Sequence, residues 1–324
     1  MQEINWGIIG CGNVTEVKSG PAFSKVPHSR LAAVMRRNGE KARDYAQRHN
    51  VPRWYNDAQL LIDDPGVNAI YVATPPASHE EYAIRALRAG KPVYLEKPMA
   101  TNAASAKRIA AVAKETGVPL SIAHYRRRQP LFLTIKSLID EGRIGRVQRV
   151  SLELFQPHQS PMIATTEENW RLNPALSGGG LFHDLAPHQL DLMIHFFGEH
   201  ETACGLSCNT GNLYGAPDTT SGQILFRNGV LFHGNWCFVA RESTDKCIIT
   251  GTEGELQFSI FGQAPLVIRQ KENMEQQNFE PLTHVQEPMI RDVVAYFRGE
   301  MPNPCPADAG VEVMELIDKF SVVK

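Results

Sequence analysis

An α/β chain of two domains is the fold class that the sequence predicts, and three observations predict it. Strand-like and helix-like stretches alternate with short joints through the first third, the pattern of a parallel sheet covered on both faces. A glycine-punctuated turn, GCGNVT, closes the first apolar run at 4–10. Past about residue 123 the alternation gives way to helices and then a series of strands, with Asn228-Gly229 as a hairpin signal.

The elements of the first part follow in order. Residues 4–10 read as a buried strand, and the helix-like stretch after them breaks near Gly20-Pro21. A second apolar run covers 31–35, and Asn38 is placed to cap a helix at 40–49. A strand at 67–74 ends at Pro75-Pro76. In SHEEYAIRALRAG, Ser78 and Glu81 have capping-box spacing and Gly90 stands at a helix stop. A strand at 92–95, an alanine-rich helix at 103–116 closed by Gly117, and a strand at 119–123 complete the series.

In the second part, helices at 131–141 and 181–197 precede strands at 222–226, 230–239, 247–250, 256–260 and 266–269. Phe232, Trp236 and Phe238 share one face of their strand, while Leu231, His233, Asn235, Cys237 and Val239 share the other. Such a sheet packs helices on one side and leaves the other to solvent or to a second subunit. Residues 308–320 read as a final helix that packs on either domain. The division adopted is 1–122 and 123–324.

Composition bounds the function. A length of 324 residues suits two domains, and 43% hydrophobic with 21% charged residues is ordinary for a globular protein. A net charge of −2 offers no basic field for nucleic acid. Apolar stretches are strand-sized, too short to cross a bilayer. No basic segment followed by a long apolar core opens the chain, so no signal peptide is expected. The six cysteines fit no zinc spacing and read as reduced thiols of a cytoplasmic protein.

The glycine turn lies between a strand and a helix, as a dinucleotide site requires. Gly10 suits the tight turn, and Gly12 lets the N–H groups around Asn13 and Val14 approach a pyrophosphate at a helix N-terminus. The third fingerprint position holds Thr15. A plain structural turn is the alternative. At the end of the second strand, where NAD sites usually carry an acidic residue, stand Arg36 and Arg37. Two guanidinium groups suit a 2′-phosphate and favour NADP over NAD; a pair of solvated arginines is the alternative.

The stretch VATPPASHEEYAIRALRAGKPVYLEKP, with YRRRQP at 125–130, NWRLNPALSGGGLFHDLAPHQLDL at 169–192 and GTEGEL at 251–256, resembles the Gfo/Idh/MocA family, named after glucose–fructose oxidoreductase and inositol dehydrogenase. The resemblance runs in order over nearly the whole chain. It implies an N-terminal Rossmann domain and a C-terminal α/β domain with a large, mostly antiparallel open sheet that often joins subunits, hence a homodimer or homotetramer. It implies hydride transfer between a nicotinamide and a carbon–oxygen bond of a sugar, cyclitol or dihydrodiol. By the same resemblance, Thr74, Pro75 and His79 lie along the cofactor, and Glu96 and Lys97 sit by the nicotinamide with Pro98 in a cis peptide. Trp170 and Arg171 line the cleft, and Asp184 and His188 stand beside the reacting carbon. Thr15 and Arg36 depart from the family pattern.

The residue types suit that chemistry. Asp184 and His188 are four apart on one helix and share a face. The imidazole can take or give the substrate proton near neutral pH, and Lys97 can stabilise charge on the reacting oxygen. The glycines at 178–180 let the helix start approach a ligand closely. No metal is required; the spacing of His183, His188, Asp191 and His195 on the same helix leaves a zinc reading open beside it. Two rival functions share the fold: a glycosidase that recycles its nicotinamide, and a non-catalytic dinucleotide-binding regulator.

Overall fold

The computed structural model describes residues 2–162 and 169–322. The chain forms two compact units, Met1–Arg126 with Leu282–Met314, and Arg127–Pro281 with Glu315–Lys324.

The first unit begins with β1 (Ile4–Ile9), α1 (Asn13–Val17), β2 (Ser29–Met35), α2 (Gly39–Arg48), β3 (Arg53–Tyr55) and α3 (Ala58–Ile62). It continues with β4 (Ala69–Val72), α4 (His79–Arg88), β5 (Val93–Leu95), α5 (Ala103–Thr116) and β6 (Leu120–Ile122). All strand pairs are parallel, in the order β3-β2-β1-β4-β5-β6. The strands read as continuous apolar runs because both faces are covered: every residue of β4 is buried. The sheet grows one way from β1 and the other way from β4, so the crevice for a ligand opens at their carboxyl ends.

Local signals place the helices. Asn38 accepts from the Lys41 N–H at 3.0 Å and starts α2, and Gly117 ends α5 at φ +66°. One expectation fails. Ser78 forms no capping box with Glu81; its hydroxyl turns back to Thr74 Oγ1 at 2.9 Å instead.

The second unit holds α6 (Pro130–Asp140), β7 (Val147–Phe155), α7 (Pro174–Ser177) and α8 (Leu181–Phe197). Seven strands follow: β8 (His200–Cys208), β9 (Thr219–Phe226), β10 (Leu231–Cys237), β11 (Thr244–Gly251), β12 (Glu255–Phe258), β13 (Leu266–Gln270) and β14 (Asn273–Gln277). With β7 they form one sheet, β14-β13-β12-β11-β7-β10-β9-β8, antiparallel except where β7 meets β10. Phe232, Trp236 and Phe238 are fully buried, and the Trp236 indole N–H donates to Gln189 of α8 at 2.6 Å. The opposite face keeps Leu206 and Leu231 about half exposed, at 50% and 49%.

The last elements are α9 (Glu287–Arg298) and α10 (Ala307–Phe320). Residues 282–314 group with the first unit, where the expected division at 122/123 places them in the second. The apolar stripe of α9, Met289, Ile290, Val293, Val294 and Phe297, is buried, and the Phe297 ring lies 5.6 Å from Trp6 of β1. The final helix belongs to neither unit alone: 307–314 group with the first and 315–320 with the second. Phe320 seats on β8 and β9, where a Cβ on Gly222 would meet its ring at 2.3 Å.

Candidate active site

The turn after β1 is built around two glycines with different tasks. Gly10 has φ +98°, and a Cβ there would stand 2.8 Å from the Thr74 main-chain nitrogen. This close approach joins the loops that follow β1 and β4, so Gly10 answers to the protein's own packing. Gly12 does not. Its Cβ would meet nothing nearer than the Gly10 carbonyl oxygen at 3.9 Å. The backbone there is open, as a pyrophosphate cradle needs. Asn13 is exposed and Val14 half-buried beside it.

Thr15 explains the missing third glycine. It is fully buried, its hydroxyl donates to the Gly12 carbonyl at 2.8 Å, and its own carbonyl accepts from Tyr45 at 2.7 Å. Glycine at this position serves close helix packing; here the hydroxyl is absorbed locally and the tight approach moves to Gly20, whose Cβ would strike the Thr15 carbonyl oxygen at 2.1 Å. Cys11 is buried, and burial pushes its thiol up to about 12, so it is a packing residue. Past the end of β2, Arg36 is half-buried with Nη1 3.5 Å from the Cys11 carbonyl oxygen, and Arg37 is exposed.

Thr74 and Pro75 are half-buried at the end of β4. His79 is fully buried, with Nε2 2.7 Å from the Thr74 carbonyl oxygen and Nδ1 2.9 Å from that of Pro98. Two carbonyls call for two N–H donors, but burial outweighs them and holds the imidazole down to about 4. At neutral pH the uncharged ring donates to one of the two. His79 thus ties the loop after β4 to the loop after β5. The Lys97–Pro98 peptide is cis, as the resemblance implied.

Glu96 is 4% exposed, with its carboxylate turned into the core. Oε1 accepts from the Tyr71 hydroxyl at 2.5 Å and from the Gln286 amide at 2.6 Å, and Oε2 accepts from the Lys97 N–H at 3.0 Å. Lys97 itself is half-buried. Sequence reasoning missed Gln286. The signal was present: it sits one residue before an amphipathic helix whose apolar positions 289, 290, 293, 294 and 297 have helical spacing.

In the second unit, Arg171 stacks on Trp170 with its guanidinium carbon 4.4 Å from the ring centroid. Its Nε donates to Asp184 Oδ2 at 2.9 Å, and both side chains are 14% exposed. This pairing of two expected site residues was not foreseen. His188, one turn beyond Asp184 on α8, is 5% exposed and lies edge-on to Phe261 at 5.7 Å. α8 runs unbroken through Pro187.

The glycine run before α8 has a packing cause. A Cβ on Gly179 would strike the His183 ring at 2.1 Å, and one on Gly180 would meet Ala216 at 2.6 Å. Gly179 and Gly180 therefore answer to the protein's own packing. α8 also carries the residues of the zinc-like spacing. Asp191 is gripped by Arg127 through Nε at 2.9 Å and Nη2 at 2.7 Å, and burial holds His183 and His195 each down to about 4. Among the described residues no group of three or more His, Cys, Asp or Glu is arranged to hold a metal ion.

Two segments match known families: residues 4–124 match "Oxidoreductase family, NAD-binding Rossmann fold", and 132–257 match the GFO/IDH/MocA C-terminal domain. A protein of Formosa agariphila, named as an oxidoreductase, is 46% identical over 317 residues, covering 98% of each chain. The chain belongs to the Gfo/Idh/MocA family. It is an oxidoreductase with an NAD-binding Rossmann fold. A further relative, the 1,5-anhydro-D-fructose reductase of Ensifer adhaerens, is 28% identical over 78% of this chain and 74% of its own. Among solved structures, the aldose–aldose oxidoreductase of Caulobacter crescentus has the same fold: TM-score 0.84, 24% identity, covering 98% of this chain and 96% of that one. Among the described residues no helix is long and apolar enough to cross a membrane.

Proposed function

We propose that this Gfo/Idh/MocA protein is an NADP-preferring dehydrogenase or reductase acting on a hydroxyl or carbonyl carbon of a small polyhydroxylated substrate, a sugar, cyclitol or dihydrodiol. The observation that carries the reading is the open backbone at Gly12, set at the point where the parallel sheet reverses its direction of growth. The bound nicotinamide supplies or accepts the hydride. Gly10, Gly12, Asn13 and Val14 would hold the pyrophosphate, and Arg36 and Arg37 the 2′-phosphate that an acidic residue would repel. Thr74 and Pro75 would line the cofactor, with His79 bracing them from behind; Glu96, Trp170 and Arg171 complete the expected set.

The chain's own chemistry then divides between two groups. Lys97 donates a hydrogen bond to the reacting oxygen and stabilises the charge that grows there. His188 takes the hydroxyl proton in oxidation and returns it in reduction. Asp184, held by Arg171, lies one turn away on the same helix, where a carboxylate favours the charged imidazole. The name of the Ensifer relative specifies a cyclic polyol ketone, which supports the substrate class. The half-exposed Leu206 and Leu231 on the uncovered sheet face support self-association as a homodimer or homotetramer. We place the protein in the cytoplasm, consistent with six cysteines none of which forms a disulfide.

Absorbance at 340 nm with NADP or NAD and a panel of sugars, cyclitols and dihydrodiols tests the reading. Net cofactor turnover, greater with NADP, is the expected result. Release of nitrophenol from nitrophenyl sugars without net turnover would replace it with a cofactor-recycling glycosidase. Cofactor binding with no reaction would make the protein a regulator.

A further inference from the structure

The first unit contains a buried polar chain of which only Glu96 and, at its end, Lys97 belong to the proposed site. It starts at Tyr94, whose hydroxyl donates to Gln286 Oε1 at 3.0 Å. Gln286 passes the contact on through its amide N–H to Glu96 Oε1, which also receives the Tyr71 hydroxyl. Glu96 Oε2 ends the chain on the main-chain N–H of Lys97. Gln286 is fully buried, and its own N–H is fixed by the Lys18 carbonyl at 3.2 Å. Tyr71 and Tyr94 stack with ring centroids 5.2 Å apart.

A carboxylate in a core is costly unless donors surround it. Here three groups donate to Glu96, and burial together with the Glu96 charge drives both phenols well above their ordinary pKa, so they remain donors. The cost is tolerated directly beside the residue that carries the proposed chemistry. What the arrangement achieves is orientation: a carboxylate held on one oxygen cannot turn, so the other stays on the Lys97 N–H. Gln286 is the member of this chain that fixes both ends, since its amide accepts from one tyrosine and donates to the carboxylate.

We propose that Gln286 is a positioning residue for hydride transfer, holding the Glu96 carboxylate and through it the main chain of Lys97. This rests on the reading of Lys97 as the group that stabilises the reacting oxygen. Replacing Gln286 by Leu removes one of the two donors to Oε1 and leaves the Tyr71 hydroxyl as the other, which loosens the carboxylate and weakens its hold on the Lys97 N–H.

Three variants test it with the substrate found at 340 nm, alongside Lys97→Met. Gln286→Leu is expected to lower kcat by about 10- to 100-fold with KM for the cofactor changed less than about threefold. Gln286→Glu is expected to recover most of the rate, because its carboxyl shares one proton with Glu96 and so still donates to it. Tyr94→Phe, the mildest change, is expected to cost about threefold in kcat. Hydrogen exchange without substrate gives an independent readout. The Lys97 amide is expected to exchange at least about tenfold faster in Gln286→Leu while the amides of β1 and β4 keep their protection. If Lys97→Met turns over normally, the underlying reading of Lys97 fails and the proposal goes with it. If Lys97→Met is inactive while Gln286→Leu keeps wild-type kcat, or while the Lys97 amide exchanges as before, only the role of Gln286 is overturned. Equal losses in Gln286→Leu and Gln286→Glu would also overturn it, by reducing Gln286 to a packing residue.

Discussion

Gly10 and Thr74 touch across the carboxyl ends of β1 and β4, so closely that a single added carbon on Gly10 would lie 2.8 Å from two Thr74 atoms. Two neighbouring glycines should therefore respond differently to the same change. Gly10→Ala adds this overlap to a φ of +98° and is expected to cost about 2–4 kcal/mol of stability. Gly12→Ala meets no protein atom within 3.4 Å and starts from φ −130°; it should change stability by less than about 0.5 kcal/mol. The same variant should weaken NADPH binding by at least about tenfold, since the added methyl occupies the proposed phosphate cradle. Thermal unfolding and a fluorescence titration with NADPH measure the two effects separately.

Arg37→Ala should weaken NADP by about 10-fold or more and leave NAD nearly unchanged. Arg36→Ala should show the same bias together with a small loss of stability, because Arg36 also reaches the Cys11 carbonyl. Equal losses for both cofactors would mean that neither guanidinium meets a 2′-phosphate. Calorimetric titration with each dinucleotide decides the matter.

Lys97→Met should reduce kcat by roughly two orders of magnitude or more with little change in cofactor affinity. His188→Asn should reduce it by about 10²- to 10⁴-fold. Pre-steady-state turnover with saturating NADPH is the measurement. A His188 variant as fast as the parent would remove the imidazole from proton transfer.

Acid should destabilise the protein in a defined window. His79, His183 and His195 are each held near 4 by burial, against about 6.5 in an unfolded chain. Between those values the unfolded chain binds protons that the native state refuses, so stability is complete above about pH 6.5 and lost as pH falls towards 4. Each imidazole accounts for on the order of 3 kcal/mol. Glu16 acts lower down: its hydrogen bond with Arg48 sets it at about 2, so its share is lost only as pH falls from about 4.5 towards 2. Urea midpoints at pH 7.5, 6.0, 5.0 and 4.5 should fall steeply; a flat series from 7.5 to 5.0 would contradict the neutral, buried histidines.

The buried pair of Arg127 and Asp191 should be sensitive to the loss of either partner. Their side chains are 7% and 1% exposed, so Arg127→Ala leaves a carboxylate without its cation and should cost about 3–5 kcal/mol. Arg127→Met with Asp191→Leu should recover much of that loss. Chemical unfolding of the two variants and the parent gives the comparison.

Local signals carried much of this fold. The helix at 103–116 was legible to the residue because an alanine-rich body and a terminal glycine agree. β7 was missed although Val150, Leu152 and Leu154 alternate between Gly145 and Pro157, the pattern of a half-buried strand. The capping box at Ser78 was misread because Thr74, four residues back, competes for the hydroxyl. At the site, residue identities were legible but their partners were not. That Arg171 would hold Asp184, or that Gln286 would return after the intervening stretch 127–281 of the second unit to hold Glu96, depends on long-range packing that no spacing encodes.

Thr15 has a practical corollary for anyone mining genomes. A search pattern that insists on glycine or alanine at the third fingerprint position would pass over this chain. A rule that also admits a small hydroxyl residue able to bond back to the second glycine's carbonyl, and that then looks five positions on for a displaced glycine, would retrieve it and any others that solved the crowding problem in the same way.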